Sequence, residues 1–461
     1  MRNHFSIILV AALLFSSCKH KNCDLLIQNA TILDVVKGTE LTNHSIAIAE
    51  GRIIQISQSP LNYIADSIIL AEGKLLTPSF IDTHIHPISE FADGNYDLVP
   101  DAFPEDSLTY YRQVLTDGYL PDGTTTALMM GHPDTWTDDF LSWSKNSLPD
   151  QLDVFTCGGA LATEDGHTYP GHHRVLNPEV AKQKIIEYHF KGLNHLKLYW
   201  RLRPPEFQSI QNTADSLGMK MFAHSGGFFD PTQLNIFQAI DMGIRNFEHI
   251  AILPCSVFDH QDWEVIHEAY QNNFAGVEGD PNQLSLIYIL ETFKHAEENK
   301  KDEFLHLIDT MATTQCDIST TIGWVYKTYH ETFFAPPKIK GLNEAQFERC
   351  HYNFSILMDY LNLIHQKNIP IRIGSDTNPG GKMVLLELML MVEYGMSAEE
   401  AIKIATYNGA RALGIEKDVG TIDVGKKANL ILWNESPMTN FKNFTLGKSI
   451  IKDGIIYNPQ H

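Results

Sequence analysis

The chain has 461 residues, 43% of them hydrophobic and 20% charged, and its formal net charge is −21. That length accommodates a barrel of roughly 250 residues with additions, and the composition suits an ordinary packed globular core. A surface this acidic repels nucleic acid and anionic lipid headgroups, which argues against polynucleotide partners.

Residues 1–17 read as an export signal. Arg2 precedes the apolar run Ile7 to Phe15, which is followed by Ser16-Ser17-Cys18. The run is shorter than the roughly 20 residues a bilayer span needs and suits the apolar segment of a signal peptide. Small residues immediately before a cysteine resemble a bacterial lipoprotein processing site, with Cys18 as the lipidated first residue. Simple signal cleavage near Cys18 is the other reading. Either way an exported protein is expected, periplasmic or on the outer membrane, touching membrane only through an anchor at Cys18. The six cysteines (Cys18, Cys23, Cys157, Cys255, Cys316 and Cys350) form no CxxC pairs. Neither a zinc ribbon nor a dense disulfide frame is indicated.

From Asp24 to Ser57, short alternating apolar runs such as Leu25-Leu26-Ile27 and Ser45-Ile46-Ala47-Ile48 are punctuated by Gly38 and Gly51, as hairpins require. The C-terminal stretch repeats that texture in Asn429-Leu430-Ile431-Leu432 and Ser449-Ile450-Ile451. Two distant β-rich ends predict a small β-sandwich domain built from both termini, residues 18–75 and 416–461. Between them, short apolar strands alternate with helical stretches over 76–415, the pattern of an α/β protein with a parallel sheet. The clearest helix opens at Ser397, with Glu400 completing a capping box and Ala401, Ile404 and Ala405 beginning an apolar stripe.

The stretch Phe80-Ile81-Asp82-Thr83-His84-Ile85-His86 carries the first chemical signal. A strand sends alternate side chains to one face, so His84 and His86 can grip one metal ion together. Two satisfied structural histidines on a strand are the plainer alternative. Further along, Lys197 lies in His195-Leu196-Lys197-Leu198, on the face opposite Leu196 and Leu198. A lysine pointing into a barrel is costly unless it is paired or chemically altered. His224 closes the strand-like Lys220 to Ala223, His249 follows Asn246-Phe247-Glu248, and Asp376 ends Ile371-Arg372-Ile373-Gly374-Ser375. Each is weak alone. Together they run HxH, Lys, His, His, Asp, every member at the C-terminal end of a predicted strand, where a β/α barrel carries its active site.

In that series the chain resembles the amidohydrolase superfamily. His84 and His86 match its first-strand pair, Lys197 its fourth-strand lysine, His224 and His249 its fifth- and sixth-strand histidines, and Asp376 its eighth-strand aspartate. Supporting matches are Gly123-Thr124-Thr125-Thr126, Ala405 to Ala410 and Gly420 to Asn429; Ser79 and Asn429 depart from the usual glycine and aspartate. The resemblance implies a (β/α)8 TIM barrel holding two divalent metal ions, with zinc the first choice for imidazole and carboxylate donors. It places His84, His86 and Asp376 on one ion, His224 and His249 on the other, and carbamylated Lys197 between them. A metal-bound hydroxide would attack a small-molecule amide, cyclic amide or dipeptide at its C–N bond, with Asp376 shuttling the proton to the leaving nitrogen.

The loop from Gly158 to His167 resembles the substrate loop of members that cut dipeptides and related amides. His167, Tyr169 and Arg201 are therefore expected substrate contacts, each with a surface-loop alternative. Between His249 and Asp376 the sequence is longer than two βα units need, and the surplus is expected as a helical insertion near 258–314. It is either a lid or a peripheral addition. Two other functions compete: a mononuclear deaminase on the same barrel, and a binding lipoprotein that has lost catalysis. Ser225-Gly226-Gly227-Phe228 after His224 lacks the glutamate usual in the deaminases, and the full ligand set argues against lost catalysis.

Overall fold

A computed structural model describes residues 21–58, 60–163, 169–226 and 234–458. The signal segment, Cys18 and His167 lie outside the described residues. No described helix is long and apolar enough to cross a membrane.

The chain opens with β1 (Lys21–Asp34), β2 (Thr39–Ala49), β3 (Arg52–Ser57), β4 (Tyr63–Leu70) and β5 (Leu75–Pro78). A second set of strands runs through the middle: β6 (Phe80–Ile85), β7 (Thr124–Met129), β8 (Asp153–Thr156), β9 (Ala160–Thr163), β10 (His172–Val175), β11 (His195–Leu198), β12 (Lys220–Ala223), β13 (Asn246–Phe247), β14 (Asp317–Ser319) and β15 (Ile371–Arg372). The chain ends with β16 (Leu430–Trp433), β17 (Lys448–Lys452) and β18 (Ile455–Ile456).

Both termini do contribute to one sheet. Its order is β18-β17-β16-β5-β1-β2-β3, with β4 added in parallel against β1. Where a two-layer sandwich is expected from the sequence, the pairing shows a single eight-stranded sheet. Its buried side carries Leu25, Ile27, Ile46, Ile48 and Ile53 from the first strands and Leu430, Leu432 and Ile451 from the last. The alternating apolar runs serve this face.

The middle strands are parallel. Sheet β6-β7-β8 continues through the bend at Gly158 and Gly159 into β9-β11-β12-β13-β14-β15. Gly158 takes φ +70° there, a left-handed turn that a side chain would strain. The far ends join as well: Thr83 N–H donates to Ile373 O and Asp376 N–H to His84 O, each at 2.9 Å. The curled sheet therefore closes on itself, and β6 and β15, nearly 300 residues apart, become neighbours.

The surplus chain forms helices His260–Phe274, Pro281–Asn299 and Lys301–Thr313 between β13 and β14. The expected insertion tells only part of this, because helices Ile322–Tyr329 and Glu344–Gln366 lengthen the next crossover too. The two long helices are tied by Glu291, 2% exposed, which accepts from Arg349 at 2.6 and 2.7 Å and from Asn353 at 2.8 Å. Such a bidentate pair adds geometric definition as well as energy.

Candidate active site

At the C-terminal mouth of the closed sheet the sequence-predicted residues meet. Asp376 Oδ1 lies 3.2 Å from His86 Nε2 and 3.4 Å from His84 Nε2, and its Oδ2 lies 3.7 Å from His249 Nδ1. The His84 and His249 rings are 4.6 Å apart, and the His249 and His224 rings 4.7 Å. The row runs His86, His84, His249, His224 across the mouth, the first two from the end of β6 and the others from the ends of β13 and β12. Lys197, from β11, is buried and lines the same cavity, its ammonium without a hydrogen-bond partner.

Burial first, and the neighbouring positive charges second, push His84, His224 and His249 well below the ordinary imidazole pKa. All three are therefore neutral at physiological pH, the form that ligates a metal. Burial likewise lowers the Lys197 pKa, against the pull of Glu248 and Asp376. Neutral imidazoles, a carboxylate and an orphaned buried amine form a donor set that fits divalent cations. Among the described residues, His84, His249 and Asp376 bring ligand atoms within 4.8 Å of one another.

The backbone is strained where the chemistry sits. His249 has φ 63° and Asp376 φ 58°, left-handed values that non-glycine residues reach at a cost of about 1–3 kcal/mol each. Their surroundings must hold them there. Asp82, fully buried on β6, accepts the N–H groups of His84 and Ser375, both at 3.1 Å. Burial pushes its own carboxyl up to about 7.

Two partners beneath the histidines escaped the sequence reading. Glu248, with no exposed surface, accepts from His84 Nδ1 at 2.5 Å, Ser319 Oγ at 2.7 Å and Arg372 Nη2 at 2.7 Å. Burial pushes its carboxyl pKa up, but Arg372 and Lys197 win and hold it below the usual range. With Nδ1–H committed to Glu248, the Nε2 lone pair of His84 faces the mouth. The signal was present: Arg372 is a charge inside an apolar strand, and Glu248 abuts a candidate ligand.

The cavity above measures about 710 Å³, within the range of small-molecule sites. Tyr169, His172, Tyr199, Tyr96 and Trp324 give it aromatic walls, and Asp280, Asn282 and Gln283 reach it from the start of helix Pro281–Asn299. The added helices thus border the cavity rather than sitting apart from it. Of the expected substrate contacts, Tyr169 lines the cavity; Arg201 is not among its lining residues and places its guanidinium 5.0 Å from the Trp200 ring.

Gly374 packs against His84: a Cβ there would lie 2.7 Å from His84 Cβ. Gly374→Ala is expected to displace His84, and any divalent-metal affinity of this cluster should fall roughly tenfold or more. Chelator-competition titration reads the affinity, and an unchanged value would show that the mouth tolerates the shift.

A closed parallel β/α ring with a histidine–carboxylate cluster at its C-terminal mouth defines a class of barrel proteins equipped to bind metal. Residues 356–456 match the model of the amidohydrolase family. Over 78 residues the chain is 37% identical to imidazolonepropionase of Legionella pneumophila (strain Corby), a match covering 16% of this chain and 19% of that one. The fold is similar to that of a prolidase crystallised with N-methylphosphonate-L-proline (TM-score 0.66, 16% identity, 95% of this chain and 100% of that one). It is also similar to that of A. niger ochratoxinase (TM-score 0.66, 16% identity, 95% and 96%). The match to the amidohydrolase family is thus confined to residues 356–456, and the sequence match to the imidazolonepropionase spans about a fifth of that protein's length.

Proposed function

We propose that this protein is a metal-dependent hydrolase that cuts the C–N bond of a small amide, cyclic amide or dipeptide. The reading rests on one observation: four imidazoles, Asp376 and the partnerless amine of Lys197 converge at the mouth of a cavity of substrate size. The relative matched in sequence is an imidazolonepropionase and a structural neighbour is a prolidase, which supports small C–N substrates.

His84, His86, His224, His249 and Asp376 would hold divalent ions, zinc by preference, with Lys197 joining them as its carbamate. Bound there, such ions would polarise a carbonyl and make water acidic enough to ionise near neutral pH. The protein's own groups do the rest. Asp376, an acceptor-only carboxylate between three imidazoles, takes a proton on one oxygen and returns it to the leaving nitrogen. Glu248 fixes the His84 tautomer, and the aromatic walls with Tyr169 orient the substrate and restrict water.

One observation favours a single-ion variant. Only the His84, His249 and Asp376 group has ligand atoms this close together among the described residues. Metal quantification decides: near two ions per chain, near one, or none. Coupled to a screen of dipeptides, N-acyl amino acids and cyclic imides, a chain that takes up no metal and acts on none of the three classes would sink the reading. Export and lipidation at Cys18 are likewise proposed, and the mass of the mature N-terminus from a native host tests them.

A further inference from the structure

Lys327, on helix Ile322–Tyr329, is only 3% exposed, and lysine is almost never fully buried unless paired. No carboxylate lies within ion-pair distance of it among the described residues. Its ammonium donates instead to Asn378 O at 2.7 Å and to Thr377 Oγ1 at 3.1 Å. Both acceptors belong to the loop that leaves Asp376. Burial pulls the Lys327 pKa down to about 8, with Lys338 adding to the fall and Asp93, Glu90 and Asp376 opposing it.

What the buried charge holds is the strained turn. Asp376 sits at φ 58°, and a left-handed aspartate persists only where its surroundings over-determine it. On the preceding side, Asp82 grips Ser375 N–H, and Asp376 N–H is fixed to His84 O. On the following side the chain is gripped by Lys327 and, two residues further, by Glu90, which accepts from Gly380 N–H at 2.7 Å. Lys327 therefore completes a clamp around Asp376, the carboxylate that lies against His84, His86 and His249.

We propose that Lys327 is a positioning residue: by gripping Thr377 and Asn378 it holds the Asp376 carboxylate in register with His84, His86 and His249. The inference rests on the metal-site reading above, so its test reads metal affinity rather than turnover. Full-length wild type, K327M, T377V and the double variant are stripped by chelation and titrated with zinc against a chromophoric competitor. K327M is expected to bind zinc 10–100-fold more weakly, the range for lost outer supports of metal ligands, while the metal-free Tm stays within a few degrees. T377V should lose less. The double variant should match K327M, because both changes break the same contact.

K327M binding within twofold of wild type overturns the proposal. So do losses that simply add in the double variant. If K327M fails to fold, T377V alone carries the test, and an unchanged affinity there overturns the clamp. A wild type that takes up no zinc removes the metal-site reading and the inference together, a result distinct from a wild type and K327M that bind equally.

Discussion

Replacing Asp376 by asparagine is expected to lower turnover by about 10²–10⁴-fold, the usual contribution of a positioned acid–base group, while the metal content per chain at saturating zinc stays near that of the wild type. Asparagine keeps the shape and offers a carbonyl oxygen to a cation. It cannot accept a proton at neutral pH. The distances of 3.2, 3.4 and 3.7 Å from the Asp376 oxygens to His86, His84 and His249 place that carboxylate beside three of the four imidazoles at the mouth. Steady-state kinetics on the substrate class found by screening, with metal measured on the same samples, checks the result. Turnover within threefold of wild type would remove Asp376 as the proton carrier. Parallel loss of metal would instead make its negative charge a requirement for binding.

The parts of this site legible in the sequence were those with a periodic or terminal signature. His84 and His86 announce themselves by spacing, and His224, His249 and Asp376 by standing where predicted strands stop. Their convergence is a property of ring closure, seen in the bonds from Thr83 to Ile373 and from Asp376 to His84. No local pattern encodes those bonds. The supporting residues were less legible for a physical reason. Glu248, Arg372 and Lys327 act through contacts 50 to nearly 300 positions away, and a single charge inside an apolar stretch looks the same whether it faces solvent or a partner. The terminal strands were readable as strands of one small domain, but their order within its sheet was not. Alternation fixes which face is buried, while the neighbour of an edge is settled by the rest of the chain.

Removing Glu248 is expected to destabilise the protein by about 3–5 kcal/mol, the cost of leaving a buried charge uncompensated. Arg372, 1% exposed, would keep only Thr83 Oγ1 at 3.1 Å and Phe247 O at 2.9 Å as polar partners. Lys197 would lose the strongest charge interaction favouring its ammonium. Glu248→Leu should therefore lower the Tm markedly in thermal unfolding of the metal-free chain. Pairing it with Arg372→Met removes the orphaned guanidinium too. Because replacing a whole buried ion pair by apolar groups of similar volume is often neutral, the double variant should recover most of the lost stability. Zinc affinity should not recover with it, since His84 Nδ1 still lacks the carboxylate that fixes its tautomer. If zinc binding returns along with the Tm, Glu248 serves only to neutralise Arg372. If neither returns, the pair is part of a larger network through Ser319 and Thr83 that two substitutions cannot replace.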